Sequence, residues 1–274
     1  MDLTQHHGLG NVFLISFLDE VPTDALIRAR FLCDPDTGIG ADGLIFGTPS
    51  TGSSGLQKKF TLFNRDGSLA EISGNGLRCF GQALVRASGI PDLAIMVDTD
   101  AGRREVIVNG GPEDSTVSAI VNMGAANPGP QLTEVPTVLD EIECTRFMTI
   151  DIGNPHLVVE VEDLEKIDLD LVGRRLHDLF LPDGCNVHIV TITDSDILQM
   201  RSWERGVGIT KACGTGACSA AYAAHIWGET GEKVQVQMSG GVATVTIGSS
   251  LMLTGPSTYM GSFRSLDGKG FEIG

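Results

Sequence analysis

Ser73-Gly74-Asn75-Gly76 opens one apolar helical pattern, and Cys213-Gly214-Thr215-Gly216 opens another 140 residues later. After the first, Leu77, Phe80, Leu84 and Ala87 fall at helical spacing until Gly89 and Pro91 end the run. After the second, an Ala-rich stretch from Ala217 to Trp227 stops at Gly228. Two more echoes keep the same order. Gly10-Asn11, just before an apolar strand, returns as Gly153-Asn154, 143 residues on. Gly40-Ala41-Asp42-Gly43-Leu44-Ile45-Phe46 is echoed 144 residues later by Gly184-Cys185-Asn186-Val187-His188-Ile189-Val190. One repeated glycine pair would mean little in a chain with 35 glycines. Three echoes in one order predict two similar halves with a pseudo-twofold relation. The joint is expected near Gly110 to Ser115, which gives an N-terminal half of 1–116, joined by the segment 262–274, and a C-terminal half of 117–261.

Around these anchors the chain reads as many short strands and few helices. Phe13–Ser16, Phe60–Phe63, Ala94–Val97, Glu105–Val108 and Val117–Val121 alternate or are β-branched, as do Leu157–Val161, Val187–Val190, Val234–Gln237 and Val242–Ile247. Shorter helices are expected over Thr23–Phe31 and Leu169–Phe180.

Composition limits the function classes. The 274 residues are 42% hydrophobic and 20% charged, ordinary for a globular chain long enough for a sizeable core. The net charge of -16 leaves no electrostatic footprint for nucleic acid or an anionic membrane surface. No apolar run approaches the roughly 18 residues of a membrane span. The first residues, Met1 to His7, carry neither the basic start nor the apolar core of a signal peptide. Six cysteines without a CxxC pair or framework spacing read as reduced thiols, so a cytoplasmic protein is expected.

The repeated helix starts suggest a chemistry. A helix N-terminus offers backbone N–H groups and a positive field to a carboxylate. The same field favours a thiolate, so Cys213 has the context of an activated thiol. If the halves face each other, two such starts could approach one ligand from opposite sides. Removal and redelivery of a proton at a carbon beside a carboxylate is racemisation or epimerisation, and no cofactor is then required.

At this point the chain resembles the diaminopimelate epimerases over essentially its whole length. The resemblance rests on His7-Gly8-Leu9-Gly10-Asn11, Gly38-Ile39-Gly40-Ala41-Asp42-Gly43, Phe63-Asn64-Arg65-Asp66-Gly67-Ser68 and the run Ala70 to Cys79. It continues in Gly153-Asn154-Pro155-His156, Glu204-Arg205-Gly206-Val207-Gly208, Thr210 and Ala212 to Cys218. What it implies is an α+β fold of two halves, each a curved, mostly antiparallel sheet around a central helix. It also implies a cofactor-independent isomerase of lysine and peptidoglycan precursor synthesis, converting LL- to meso-diaminopimelate, with a homodimer plausible by the same likeness. By the same resemblance, Cys213 is one of two opposed acid/base residues. Gly74, Asn75, Gly214 and Thr215 would hold the reacting carboxylate through backbone N–H groups. Asn11, Asn64, Asn154, Asn186, Glu204 and Arg205 would recognise the rest of the amino-acid substrate, although the asparagines read equally well as turn formers.

Two positions depart from the family pattern. Val12 stands where the family has Asp, a local packing change. Ser73 stands where the family carries its other catalytic cysteine. A hydroxyl without a neighbouring base is a poor proton acceptor near neutral pH, although Ser73 suits a helix cap. Ser73 fits an introduced replacement, a natural homologue with slow or one-sided chemistry, or an inactive amino-acid-binding relative. Another cofactor-independent racemase of the superfamily is the alternative enzyme.

Other signals are weaker. Gly38 to Gly43 matches GxGxxG, but a strand follows where a dinucleotide site needs a helix. Ser73 lacks the GxSxG elbow of a hydrolase, because Glu71 holds the first glycine position. The histidines at 6, 7, 156, 177, 188 and 225 have no metal-ligand spacing, though His156 could line a cleft. The stretch Glu160 to Glu165 reads as a solvated acidic face.

Overall fold

The computed structural model describes residues 1–50, 56–132, 137–266 and 270–273. The chain divides into two compact units, Met1–Asn122 with Thr254–Gly274, and Met123–Leu253. The first unit runs on to Asn122 because the strand Thr116–Asn122 pairs with Gly102–Asn109. In the segment expected to rejoin it, 262–274, residues 267–269 and 274 lie outside the described residues.

In the first unit the order is β1 (Asp2–Gly8), β2 (Asn11–Phe17), α1 (Ala25–Leu32), β3 (Gly43–Pro49), β4 (Lys58–Asn64), β5 (Leu69–Ala70), α2 (Gly74–Ser88), β6 (Ala94–Thr99), β7 (Gly102–Asn109) and β8 (Thr116–Asn122). Strand β1 pairs antiparallel with β2, β2 parallel with β3, and β3 antiparallel with β4. Beyond it β4 pairs parallel with β6, and β6, β7 and β8 follow antiparallel. A long late strand spanning Met252–Leu266 pairs with both β8 and β1, so the strands of this unit close into a ring. Helix α2 packs against β1, β2, β3, β7 and β8. Its apolar face meets Phe17 and Phe60 through Phe80. Helix α1 covers another part of the sheet, where Ala25, Ala29 and Leu32 cluster with Leu14, Leu44 and Phe46. Strand β3 lies between the two helices, and only its last residue is exposed. That is why it reads as a continuous apolar run rather than an alternating one.

The second unit repeats the plan. Its elements are β9 (Asn127–Pro128), α3 (Thr137–Glu141), β10 (Arg146–Asp151), β11 (Pro155–Glu160), α4 (Leu169–Asp178), β12 (Asn186–Asp194), β13 (Ile197–Glu204), β14 (Gly208–Thr210), α5 (Gly214–Ile226), β15 (Lys233–Met238) and β16 (Gly241–Thr246), with a single 3-10 turn at Leu164–Lys166. The late strand and the C-terminal one complete the numbering as β17 (Met252–Leu266) and β18 (Gly270–Ile273). The series antiparallel, parallel, antiparallel, parallel, antiparallel recurs through β10, β11, β12, β13, β15 and β16. Helix α5 is the central helix here, against β11, β12, β13, β15 and β16. Its Ala-rich sequence follows from being surrounded, since small side chains let strands approach on several sides. Helix α4 sets Leu169, Val172 and Leu176 against Leu157, Val187 and Trp203.

The repeat extends to individual register pairs. Phe13 opposite Gly43 recurs as His156 opposite Asn186, each 143 residues later. Leu62 opposite Ala70 recurs as Ser202 opposite Thr210, each 140 later. Strands β1, β10 and β13, absent from the sequence reading, are polar or mixed in composition and take their place from pairing. Among the described residues no helix is long and apolar enough to cross a membrane.

Candidate active site

Ser73 and Cys213 are N-caps of the two central helices, with nearly the same backbone: φ −142°, ψ 118° at Ser73 and φ −125°, ψ 115° at Cys213. Each side chain accepts from the N–H three residues on, Gly76 N to Ser73 Oγ at 3.0 Å and Gly216 N to Cys213 Sγ at 3.3 Å. Ser73 is partly exposed and Cys213 is buried. The first N–H groups of such helices, at Gly74 and Asn75 or Gly214 and Thr215, lack carbonyl partners within the helix and present donors at its mouth. Register brings further residues to the same end of each sheet. Asn11 begins β2, and Gly43 at the start of β3 lies opposite Asn64 at the end of β4. In the second unit Asn154 precedes β11, Asn186 begins β12 and Glu204 ends β13.

Within the first unit these residues are wired together. Asn75 donates to Asn11 Oδ1 at 3.3 Å, and Asn11 donates to Asp42 Oδ2 at 2.8 Å. Asp42 also accepts from Val12 N and Arg65, both at 2.8 Å. The buried Arg78 donates to Asn75 Oδ1 from one helical turn below. Asn64 is spent more locally: its amide donates to Ser68 Oγ at 3.0 Å across a turn whose backbone bonds also join 64 and 68. That is the turn-former role its residue type allowed.

In the second unit, Asn186 accepts from Arg205 N and donates to Pro155 O, each at 3.0 Å. It thus braces the turn that carries Glu204 and Arg205. The exposed Arg205 guanidinium donates to Asp183 O at 3.0 Å. Asn154 accepts from buried His156 at 2.8 Å. Thr210 donates to Glu204. Thr215 Oγ1 lies 3.5 Å from Cys213 Sγ.

The electrostatics of Cys213 correct the thiolate expectation. Burial drives the thiol well above its ordinary pKa, and the Glu204 carboxylate pushes it further, while Thr215 and the Gly216 N–H pull the other way. The helix field that the sequence suggested is present but is outweighed by desolvation and one nearby negative charge. Cys213 is therefore held as a thiol, with the Glu204 carboxylate beside it as an acceptor for its proton. Burial likewise raises Cys33 and Cys185 to about 12.

Sequence reasoning missed Asp42 and Arg78 as parts of the wiring, and it dismissed His188. The echo of Gly40–Phe46 in Gly184–Val190 was the available signal for His188. The structure sets 156 and 186 opposite each other on parallel strands, hence His188 on the same face. Among the described residues no group of three or more His, Cys, Asp or Glu could hold a metal ion.

Comparison with known proteins agrees with this architecture. The family model described as diaminopimelate epimerase matches residues 3–128 and 148–260. A diaminopimelate epimerase of Methanococcus maripaludis is 36% identical, covering 94% of this chain and 97% of that one. The Moorella thermoacetica enzyme of the same name is 35% identical, covering 96% and 99%. Among solved structures, a predicted epimerase from Pseudomonas aeruginosa shares 15% identity with a TM-score of 0.76, covering 95% of this chain and 97% of that one. A probable proline racemase from Agrobacterium radiobacter shares 14% with a TM-score of 0.71, covering 99% and 96%. These last two show the common fold. With matches across both repeated units and nearly the full length of its relatives, the chain belongs to the diaminopimelate epimerase family.

Proposed function

We propose that this protein is a cofactor-independent isomerase that interconverts LL- and meso-diaminopimelate, and that Cys213 is its principal acid/base. The observation that carries the reading is the Cys213 thiol, buried at the N-cap of α5 between the Gly216 N–H, Thr215 and Glu204. Inversion at the α-carbon needs a proton taken from one face and another delivered to the opposite face. The N–H groups of Gly214 and Thr215, with Gly74 and Asn75 at the matching helix start, would hold the carboxylate as negative charge spreads onto it. Arg205 suits a carboxylate and Glu204 an ammonium, with Asn11, Asn64, Asn154 and Asn186 as the remaining polar contacts. Ser73 takes the second position. Its hydroxyl has a high intrinsic pKa and is engaged by the Gly76 N–H, so it orients rather than abstracts. The free thiols fit a reducing compartment such as the cytoplasm.

The test is solvent-deuterium incorporation from LL- and meso-diaminopimelate measured separately, with calorimetric binding of both. Exchange into one isomer that outruns net epimerisation is expected. Binding without exchange would favour an amino-acid-binding relative, and no binding at all would overturn the reading.

A further inference from the structure

Behind Asn154 runs a row of buried polar groups. His156 Nε2 lies 2.8 Å from Asn154 Oδ1, His156 Nδ1 lies 2.8 Å from His188 Nε2, and His188 Nδ1 lies 2.9 Å from Ser202 Oγ. Both rings are fully buried and Ser202 nearly so. The three strands that carry them, β11, β12 and β13, are neighbours in one sheet. The His188 ring lies against the first turn of α5, where a Cβ on Gly216 would sit 2.2 Å from His188 Cε1. The row therefore passes directly beneath the helix start that bears Cys213.

Such a row can be hydrogen-ordered in only two ways, and Ser202 decides between them. Among the described residues its hydroxyl has His188 as its hydrogen-bond partner and no other. A buried O–H without an acceptor costs more than an unused lone pair on the same oxygen, so Ser202 donates to His188 Nδ1. Each neutral imidazole carries one proton, and burial keeps both rings neutral. His188 must then donate from Nε2 to His156 Nδ1, and His156 from Nε2 to Asn154. Only the carbonyl end of the Asn154 amide can accept that bond.

We propose that Ser202 and His188 are positioning residues which, through His156, lock the Asn154 amide with its oxygen turned inward and its NH2 group left to donate to a substrate carboxylate. The identity of that substrate rests on the epimerase reading; the ordering of the row does not. The equivalent residue of the other unit, Asn11, is fixed the opposite way, because its NH2 is committed to Asp42. The duplicated asparagines thus differ in polarity: Asn11 turns its oxygen toward Asn75, while Asn154 keeps a donor.

Long-range 1H–15N correlation on the full chain labelled at histidine nitrogen reads the ordering directly. Both His156 and His188 are expected as neutral Nε2–H tautomers at pH 7. A Nδ1–H tautomer at either ring overturns the proposal. His188→Phe should leave His156 as a tautomer mixture and raise KM for diaminopimelate in deuterium exchange about tenfold, the size of one hydrogen bond to a charged group, with kcat little changed. His188→Gln, whose amide can accept from Ser202 and donate to His156, should restore both. If His188→Phe does not fold, Ser202→Ala gives the same tautomer readout from a smaller change. An unchanged KM in His188→Phe, alongside a raised one in Asn154→Ala, also overturns the proposal. Nε2–H tautomers in a protein that binds no diaminopimelate would support the ordering while removing the epimerase reading.

Discussion

The Glu204 carboxylate raises the pKa of the Cys213 thiol, and the position matching Glu204 in the first unit is the uncharged Asn64. The duplication has therefore placed a negative charge beside one helix cap and a neutral amide at the matching position of the other unit. Removing the charge in Glu204→Gln should lower the Cys213 pKa, because a like charge no longer opposes the thiolate. The 13Cβ shift of Cys213 followed against pH reads this directly. An unchanged titration would show that burial alone holds the proton.

The same asymmetry bears on Ser73. In Ser73→Cys the new thiol sits at a partly exposed cap, with Asn64 rather than a carboxylate at the matching position. It should titrate below Cys213 and act as the better base. Epimerase activity should rise by roughly 10²- to 10⁴-fold, the usual worth of a positioned acid/base group. Cys213→Ala should abolish exchange in the Ser73 parent and net epimerisation in both backgrounds. A Ser73→Cys protein no faster than its parent would mean that a hydroxyl suffices at this position.

Much of this arrangement was legible in sequence, and the rest had a physical reason to be hidden. The helix starts at Ser73 and Cys213 were readable because glycine and cap residues leave a strong local signal before an apolar run. Residues such as Asn64 could be placed but not interpreted, since turn formation and ligand binding use the same amide. The sequence also could not weigh the helix field at Cys213 against burial, as that balance depends on Glu204 arriving from the end of β13. His188 was not read as a partner of His156 because the echo that carries it gains meaning only through a parallel-strand register across 32 residues. Strand β1, with its His6-His7, carries little apolar alternation and owes its place to β2 and β17.

The matching glycines Gly76 and Gly216 should respond differently to a methyl group. At Gly216 a Cβ would lie 2.2 Å from the buried His188 ring, which is held at both nitrogens and cannot swing away. At Gly76 the nearest atoms are Ser73 Cβ at 3.2 Å and the Phe60 ring edge at 3.3 Å, a fit that small shifts relieve. Gly216→Ala should cost about 2 kcal/mol or more as overpacking, whereas Gly76→Ala should be close to neutral once the gain in helix propensity is included. Urea unfolding of the two variants compares them, and equal losses would sink the distinction.

Stability should fall in mild acid, below neutral pH but before the carboxylates matter. Burial depresses His6 to about 4 and His188 to about 3, and carries His156 well below its ordinary 6.5. For a group whose folded pKa is depressed, stability is complete above the unfolded value and is lost as pH falls toward the folded value. Between about pH 6.5 and 4 the unfolded chain therefore binds protons at these three histidines that the folded chain refuses. Each contributes a slope approaching about 1.4 kcal/mol per pH unit once the unfolded histidine is mostly protonated. Carboxylates lowered by their partners, such as Asp66 beside Ser68, act only further down the scale. Urea denaturation at intervals from pH 7 to pH 5 should show this decline, and His6→Gln should reduce the slope by about one histidine's share. A stability that stays flat across that interval would mean that the buried rings are hydrated or protonated in the folded state.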